Sequence, residues 1–196
     1  MLKRLLVLAA LCLTPYLYGA FQANATEATW ARLATGGYTI LMTHANAPGV
    51  GDPPYFDLED CTTQRNLSDR GRQLARRYSV RFAARSISIS RVYASRWCRT
   101  LETASNTFPN VEAEPLEALD IVDDDPATLA AHMETLTQLI RQFRGPGNQV
   151  MITHPEIVEA LTGVVPREGE ALVVTTARSK DEGASAIDVV ASQLLN

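Results

Sequence analysis

Lysine is almost missing from this 196-residue chain, with only Lys3 and Lys180 present. No stripe of basic residues interleaved with aromatics takes its place, so nothing marks a nucleic-acid partner. Glycine cradles for phosphate are absent too. There is no P-loop and no Gly-x-Gly-x-x-Gly, which removes support for nucleotide binding by that route. Histidine occurs only three times. His132 falls mid-helix with no Cys, Asp or His at metal-ligand spacing, so no metal site is expected, and no other cofactor is expected either. No internal repeat, low-complexity stretch or long linker divides the sequence.

The N-terminus has the parts of a secretory signal. Lys3 and Arg4 precede an apolar run from Leu5 to about Tyr18, and Ala23-Asn24-Ala25 offers a small-x-small cleavage site. The run is shorter than the roughly 20 residues a spanning helix needs, and Pro15 interrupts it, so no stable membrane anchor is expected. Leu11 is too bulky before Cys12 for a lipoprotein site. Residues 1–25 are therefore read as a signal peptide and 26–196 as one exported domain, periplasmic or secreted. Without Lys3 and Arg4 the domain has 16 basic and 22 acidic residues. Its two cysteines, Cys61 and Cys98, are an even pair in an oxidising compartment, which predicts a disulfide.

Short apolar runs alternate with helical periods. Tyr38 to Met42 reads as a buried strand leading into Thr43-His44. A Gly/Pro-rich loop follows from Pro48 to Pro54. Ser68 is placed to cap a helix running to about Ala84, with Leu74, Tyr78 and Phe82 on its buried face. Val92 to Ala94 is a second strand, followed by a helix with Leu101, Ala104 and Ser105 on one side. A third strand falls at Val111 to Ala113. Pro126 opens a long helix to Phe143. Gln149 to Thr153 is a strand that delivers His154, and a short helix over Ile157–Leu161 and a strand over Ala171–Thr175 close the pattern. This alternation predicts an α/β fold, a three-layer sandwich whose mainly parallel sheet carries helices on both faces.

In such sheets reactive residues sit just past the carboxyl ends of strands, and His44, Arg99 and His154 each occupy that position. A neutral imidazole can attack phosphorus and hold the phosphoryl group covalently, while arginine and a helix N-terminus hold the oxygens. Histidines at strand ends can equally be satisfied structural residues.

The segments GGYTILMTHANAPGVGDPP, DCTTQRNLSDRGRQLA, VYASRWCRTLETA and VMITHPEIVEALTG resemble, in order, the signatures of the histidine phosphatase (phosphoglycerate mutase-like) superfamily. The resemblance implies a metal-independent phosphomonoester hydrolase with a small phosphorylated substrate. His44 would be the nucleophile, Arg99 the phosphate-binding arginine, and His154 the second pocket histidine. The sequence departs from the family at one place, since Thr43 stands where the motif has arginine. A threonine hydroxyl is one neutral donor and does not replace a bidentate cation. Either activity is weakened or lost, leaving a silent phospho-ligand or partner-binding protein, or Arg96 fills the phosphate pocket beside Thr43. Glu117 and Asp120 are the candidate general acids.

Overall fold

The computed structural model describes residues 27–176 and 187–191. The signal-peptide reading falls on residues outside this range. Strand β1 (Thr39–Thr43) is buried at all five positions. That is why its sequence reads as a continuous apolar run, as strands covered on both faces do. It lies between β4 (Asn148–Thr153), which is parallel to it, and β5 (Ala171–Thr176), which is antiparallel. With β2 (Ile89–Ala94), β3 (Ala113–Pro115) and β6 (Ile187–Ala191), the sheet order is β3-β2-β4-β1-β5-β6. Four strands are parallel, and the β5–β6 edge is antiparallel.

Side chains alternate across a strand, and the alternation assigns two cores. Ile40 and Met42 join Val92, Val150 and Ile152 on one face. That face is covered by Trp30 and Leu33 of α1 (27–35), Tyr78 and Phe82 of α2 (Asp69–Ala84), and Ala104 of α3 (Cys98–Thr107). Leu41, Met151 and Leu172 face the other way, under Leu136 and Ile140 of α4 (Pro126–Gln142) and Ile157, Val158 and Leu161 of α5 (Pro155–Thr162). Phe82 packs edge-on to Trp30 with ring centroids 5.4 Å apart. Truncating such a buried ring to alanine costs about 3–5 kcal/mol.

Several boundaries differ from the sequence reading. The third strand is Ala113–Pro115, because it is the segment that pairs with Val92–Ala94 of β2. Ala104 is buried as expected, but Ser105 is exposed, and α3 buries Thr100, Thr103 and Thr107 beside Ala104. Thr100 and Thr103 satisfy their hydroxyls locally, Thr103 by donating to the Arg99 carbonyl at 2.7 Å. Their polarity hid the buried stripe from a search for apolar periodicity. Helix α1 and strand β6 have no counterpart in that reading.

The start of α2 is fixed against the segment that follows His44. The Ser68 hydroxyl accepts from the Gly71 amide at 3.0 Å and donates to Asn46 Oδ1 at 2.7 Å. A Cβ on Gly71 would stand 2.2 Å from the Asn46 carbonyl oxygen. Only glycine allows the helix to ride this close to the backbone.

Candidate active site

The end of β1 carries His44 into a buried position, held by backbone bonds on both sides. Its amide donates to the Thr153 carbonyl at 2.9 Å, and its carbonyl accepts from Gly169 at 2.8 Å. The ring Nδ1 lies 2.8 Å from the Ala45 carbonyl. A carbonyl only accepts, so Nδ1 carries the proton and Nε2 keeps its lone pair. Burial pushes the imidazole below its ordinary value of 6.5; the Ala45 bond opposes this, and the charges of Arg99 and Arg65 add to it. His44 is therefore a neutral imidazole at neutral pH, with its free nitrogen unprotonated.

His154, at the end of the neighbouring strand β4, stands with its ring centroid 5.5 Å from that of His44. Burial first, then Arg99, His44 and Arg65, hold it well below 6.5. Its Nε2 meets the Ser95 hydroxyl at 2.9 Å, and its Nδ1 meets Arg99 Nη2 at 3.4 Å. Ser95 also accepts from the Trp97 amide at 3.3 Å. A guanidinium only donates, so Nδ1 accepts from Arg99, and the ring proton sits on Nε2 and goes to the Ser95 hydroxyl oxygen.

Arg99 is fully buried in the first turn of α3. Its Nε has no hydrogen-bond partner. A buried guanidinium nitrogen left unsatisfied is costly, and it marks where an oxyanion would be bound. Arg65 repeats the pattern, with a buried Nε that is also unpartnered. Its Nη1 donates to the Ala47 carbonyl and lies 3.4 Å from Glu168 Oε1. Sequence reasoning assigned Arg65 no role. The signal was available, because Arg65 follows Cys61 by four residues and a Cys61–Cys98 bond brings it to Arg99. The disulfide is present, with Cα atoms 5.7 Å apart. Gln64 adds a second tie by accepting the Cys98 amide at 2.9 Å, which caps α3.

The structure brings His44, His154 and Arg99 together. It does not bring Thr43 or Arg96 to them. Thr43 is fully buried, but its hydroxyl donates to the Arg167 carbonyl at 2.7 Å and accepts from the Glu170 amide at 3.2 Å. Arg96 is engaged by acids, Nε with Asp120 at 2.5 Å and Nη2 with Glu117 at 3.1 Å. The same pairs account for both candidate general acids. Asp120 also accepts the Arg96 amide at 2.8 Å. Both carboxylates are thus committed to Arg96. Among the described residues, no group of three or more His, Cys, Asp or Glu side chains could hold a metal ion.

Two cations with unpaired buried donors thus lie with two imidazoles, an arrangement chemically able to hold a tetrahedral oxyanion. No protein-family model and no curated protein matches the chain. Solved structures do. The protein histidine phosphatase SixA complexed with tungstate superposes with a TM-score of 0.57 at 18% identity, over 80% of this chain and 96% of that one. Phosphoserine phosphatase from Entamoeba histolytica, as a mutant in complex with phosphoserine, gives 0.56 at 11%, over 81% and 97%. A mycobacterial glucosyl-3-phosphoglycerate phosphatase gives 0.56 at 11%, over 78% and 96%. At these identities the likeness is one of architecture, and the chain has the fold of the histidine phosphatase superfamily.

Proposed function

We propose that the protein is a metal-independent phosphomonoester hydrolase that passes the phosphoryl group through a phosphohistidine on His44. The observation that carries this reading is the Nδ1–Ala45 hydrogen bond, which leaves Nε2 as a buried free lone pair beside Arg99 and His154. Nε2 attacks phosphorus, the P–O bond to the leaving group breaks, and that oxygen departs with the electron pair and takes up a proton. Water then attacks the phosphohistidine, which returns the nitrogen lone pair and releases phosphate. Arg99 and Arg65 hold the equatorial oxygens throughout, and His154 steadies Arg99 by accepting from its Nη2 at Nδ1. Arg65 supplies the second cation that Thr43 lacks.

The substrate is a small phosphorylated compound met outside the cytoplasm. Export rests on the N-terminal sequence and is supported by the Cys61–Cys98 bond. A second reading, a phospho-ligand binder without turnover, draws on Thr43, whose hydroxyl is spent on Arg167 and Glu170.

Purified protein lacking residues 1–25, incubated with an aryl phosphate without metal, tests both. Turnover with an acid-labile phosphoenzyme, both lost in His44→Ala and both indifferent to chelators, is expected. Wild-type-like turnover in His44→Ala would refute the nucleophile, and phosphate binding without turnover would favour the binder.

A further inference from the structure

Asp52 plays no part in the reaction above, yet it is the most heavily bonded side chain of the loop after His44. Its Oδ1 accepts from Arg99 Nη1 at 2.9 Å and from the Arg65 amide at 2.8 Å. Its Oδ2 accepts from Trp97 Nε1 at 3.0 Å and lies 3.1 Å from the same Arg99 nitrogen. Next to it, Phe56 stacks on Trp97 with centroids 5.2 Å apart. Burial raises the carboxyl, but the Arg65 and Trp97 hydrogen bonds and the Arg99 charge outweigh it, so Asp52 is held below its ordinary value.

A carboxylate on a phosphate-binding arginine can act in two opposite ways. It can occupy the anion site and compete with phosphate, or it can hold the arginine from outside. The atoms separate the cases. Asp52 takes only Nη1, whereas Nε is buried and unpartnered and Nη2 faces His154. The Nε–Nη2 edge is a fork that matches two oxygens of one phosphate. A long side chain otherwise free to rotate would lose this alignment.

Resting on the phosphate-site reading above, we propose that Asp52 is a positioning residue: it clamps Arg99 through Nη1, so that the Nε–Nη2 edge is presented to an oxyanion beside His44 and His154. The same carboxylate is itself fixed by the Arg65 amide and the Trp97 ring N–H that it accepts.

The test is a double-mutant cycle read by calorimetric binding of inorganic phosphate to the disulfide-intact protein. Asp52→Ala and Asp52→Asn should each weaken phosphate binding by about tenfold, with a matching fall in kcat/KM. In an Arg99→Ala background, adding Asp52→Ala should change binding by less than about twofold, because the clamp has nothing left to hold. Should Asp52→Ala fold poorly, Asp52→Asn, which keeps one acceptor, carries the same cycle. Equal or tighter phosphate binding in the single mutants would show an occupant and overturn the proposal. Additive losses across the cycle would show mere loop support and overturn it as well, as would a wild type that binds no phosphate. Binding does not need turnover. If phosphate binding follows the expected cycle while no phosphoenzyme forms, the hydrolase reading fails and this one stands.

Discussion

The Thr43 hydroxyl donates to the Arg167 carbonyl across 124 residues of sequence, at 2.7 Å. It also accepts the Glu170 amide, so it closes the loop between α5 and β5 onto the end of β1. Thr43→Val keeps the shape and removes both bonds, leaving the Glu170 amide and the Arg167 carbonyl with only the 3.0 Å bond between them. A loss of about 1–3 kcal/mol in unfolding free energy is expected, with phosphate affinity unchanged. Denaturant titration and phosphate calorimetry check the two halves. Weaker phosphate binding would mean that the hydroxyl reaches the anion after all.

Arg65 and Arg96 separate in the same way. Arg65→Ala removes a buried donor from the proposed anion site and should lower kcat/KM by roughly 10²-fold or more. Arg96→Ala breaks partly exposed pairs with Asp120 and Glu117 and should change it by only a few-fold. Steady-state kinetics of the two variants on one aryl phosphate decides this. Equal losses would return Arg96 to the site.

The disulfide closes a loop of 37 residues that contains Arg65 and ends one residue before Arg99. Its removal by Cys61→Ser with Cys98→Ser should cost up to about 4 kcal/mol of stability. Because Gln64 and Asp52 still tie the loop to α3, phosphate affinity should fall less than tenfold at a temperature where the variant is folded. Thermal unfolding and calorimetry on the same sample measure both.

Stability should depend on pH through the two histidines. Both are held below 6.5 in the folded protein, so on acidification the unfolded chain takes up protons first. Their contribution is whole above 6.5 and is lost progressively as pH falls below it. Asp52, held below 3.8, adds its own loss only under that value. Melting temperature should therefore drop between pH 6.5 and 3.8, and His44→Asn with His154→Asn should flatten that slope. An unchanged slope in the double variant would show that the rings titrate normally.

The parallel part of the fold was legible in the sequence because its strands are buried on both faces and its helices carry clear signals. Ser68 at its cap and Pro126 at N1 are examples. The antiparallel edge was less so. Direction depends on the connection between strands, and the sequence of β5 looks like any buried strand. At the site, His44, Arg99 and His154 stood out by position after strands. Asp52, Arg65 and Ser95 did not, since a loop aspartate or arginine looks solvated until distant contacts bury it. Arg96 misled for the converse reason. It lies three residues before Arg99, but Asp120 and Glu117, far along the chain, claim it first.

The placement of His44 at the end of the doubly flanked strand β1 also fixes how the site breathes. Its amide bond to Thr153 and its carbonyl bond to Gly169 join it to segments on both sides. Hydrogen exchange at the His44 amide should accordingly proceed only through global opening, at rates near the slowest in the molecule. The loop from Pro48 to Asp60 is anchored mostly through side chains, and its amides should exchange by local fluctuation. Local fluctuation is then confined to that loop, and His44 stays still.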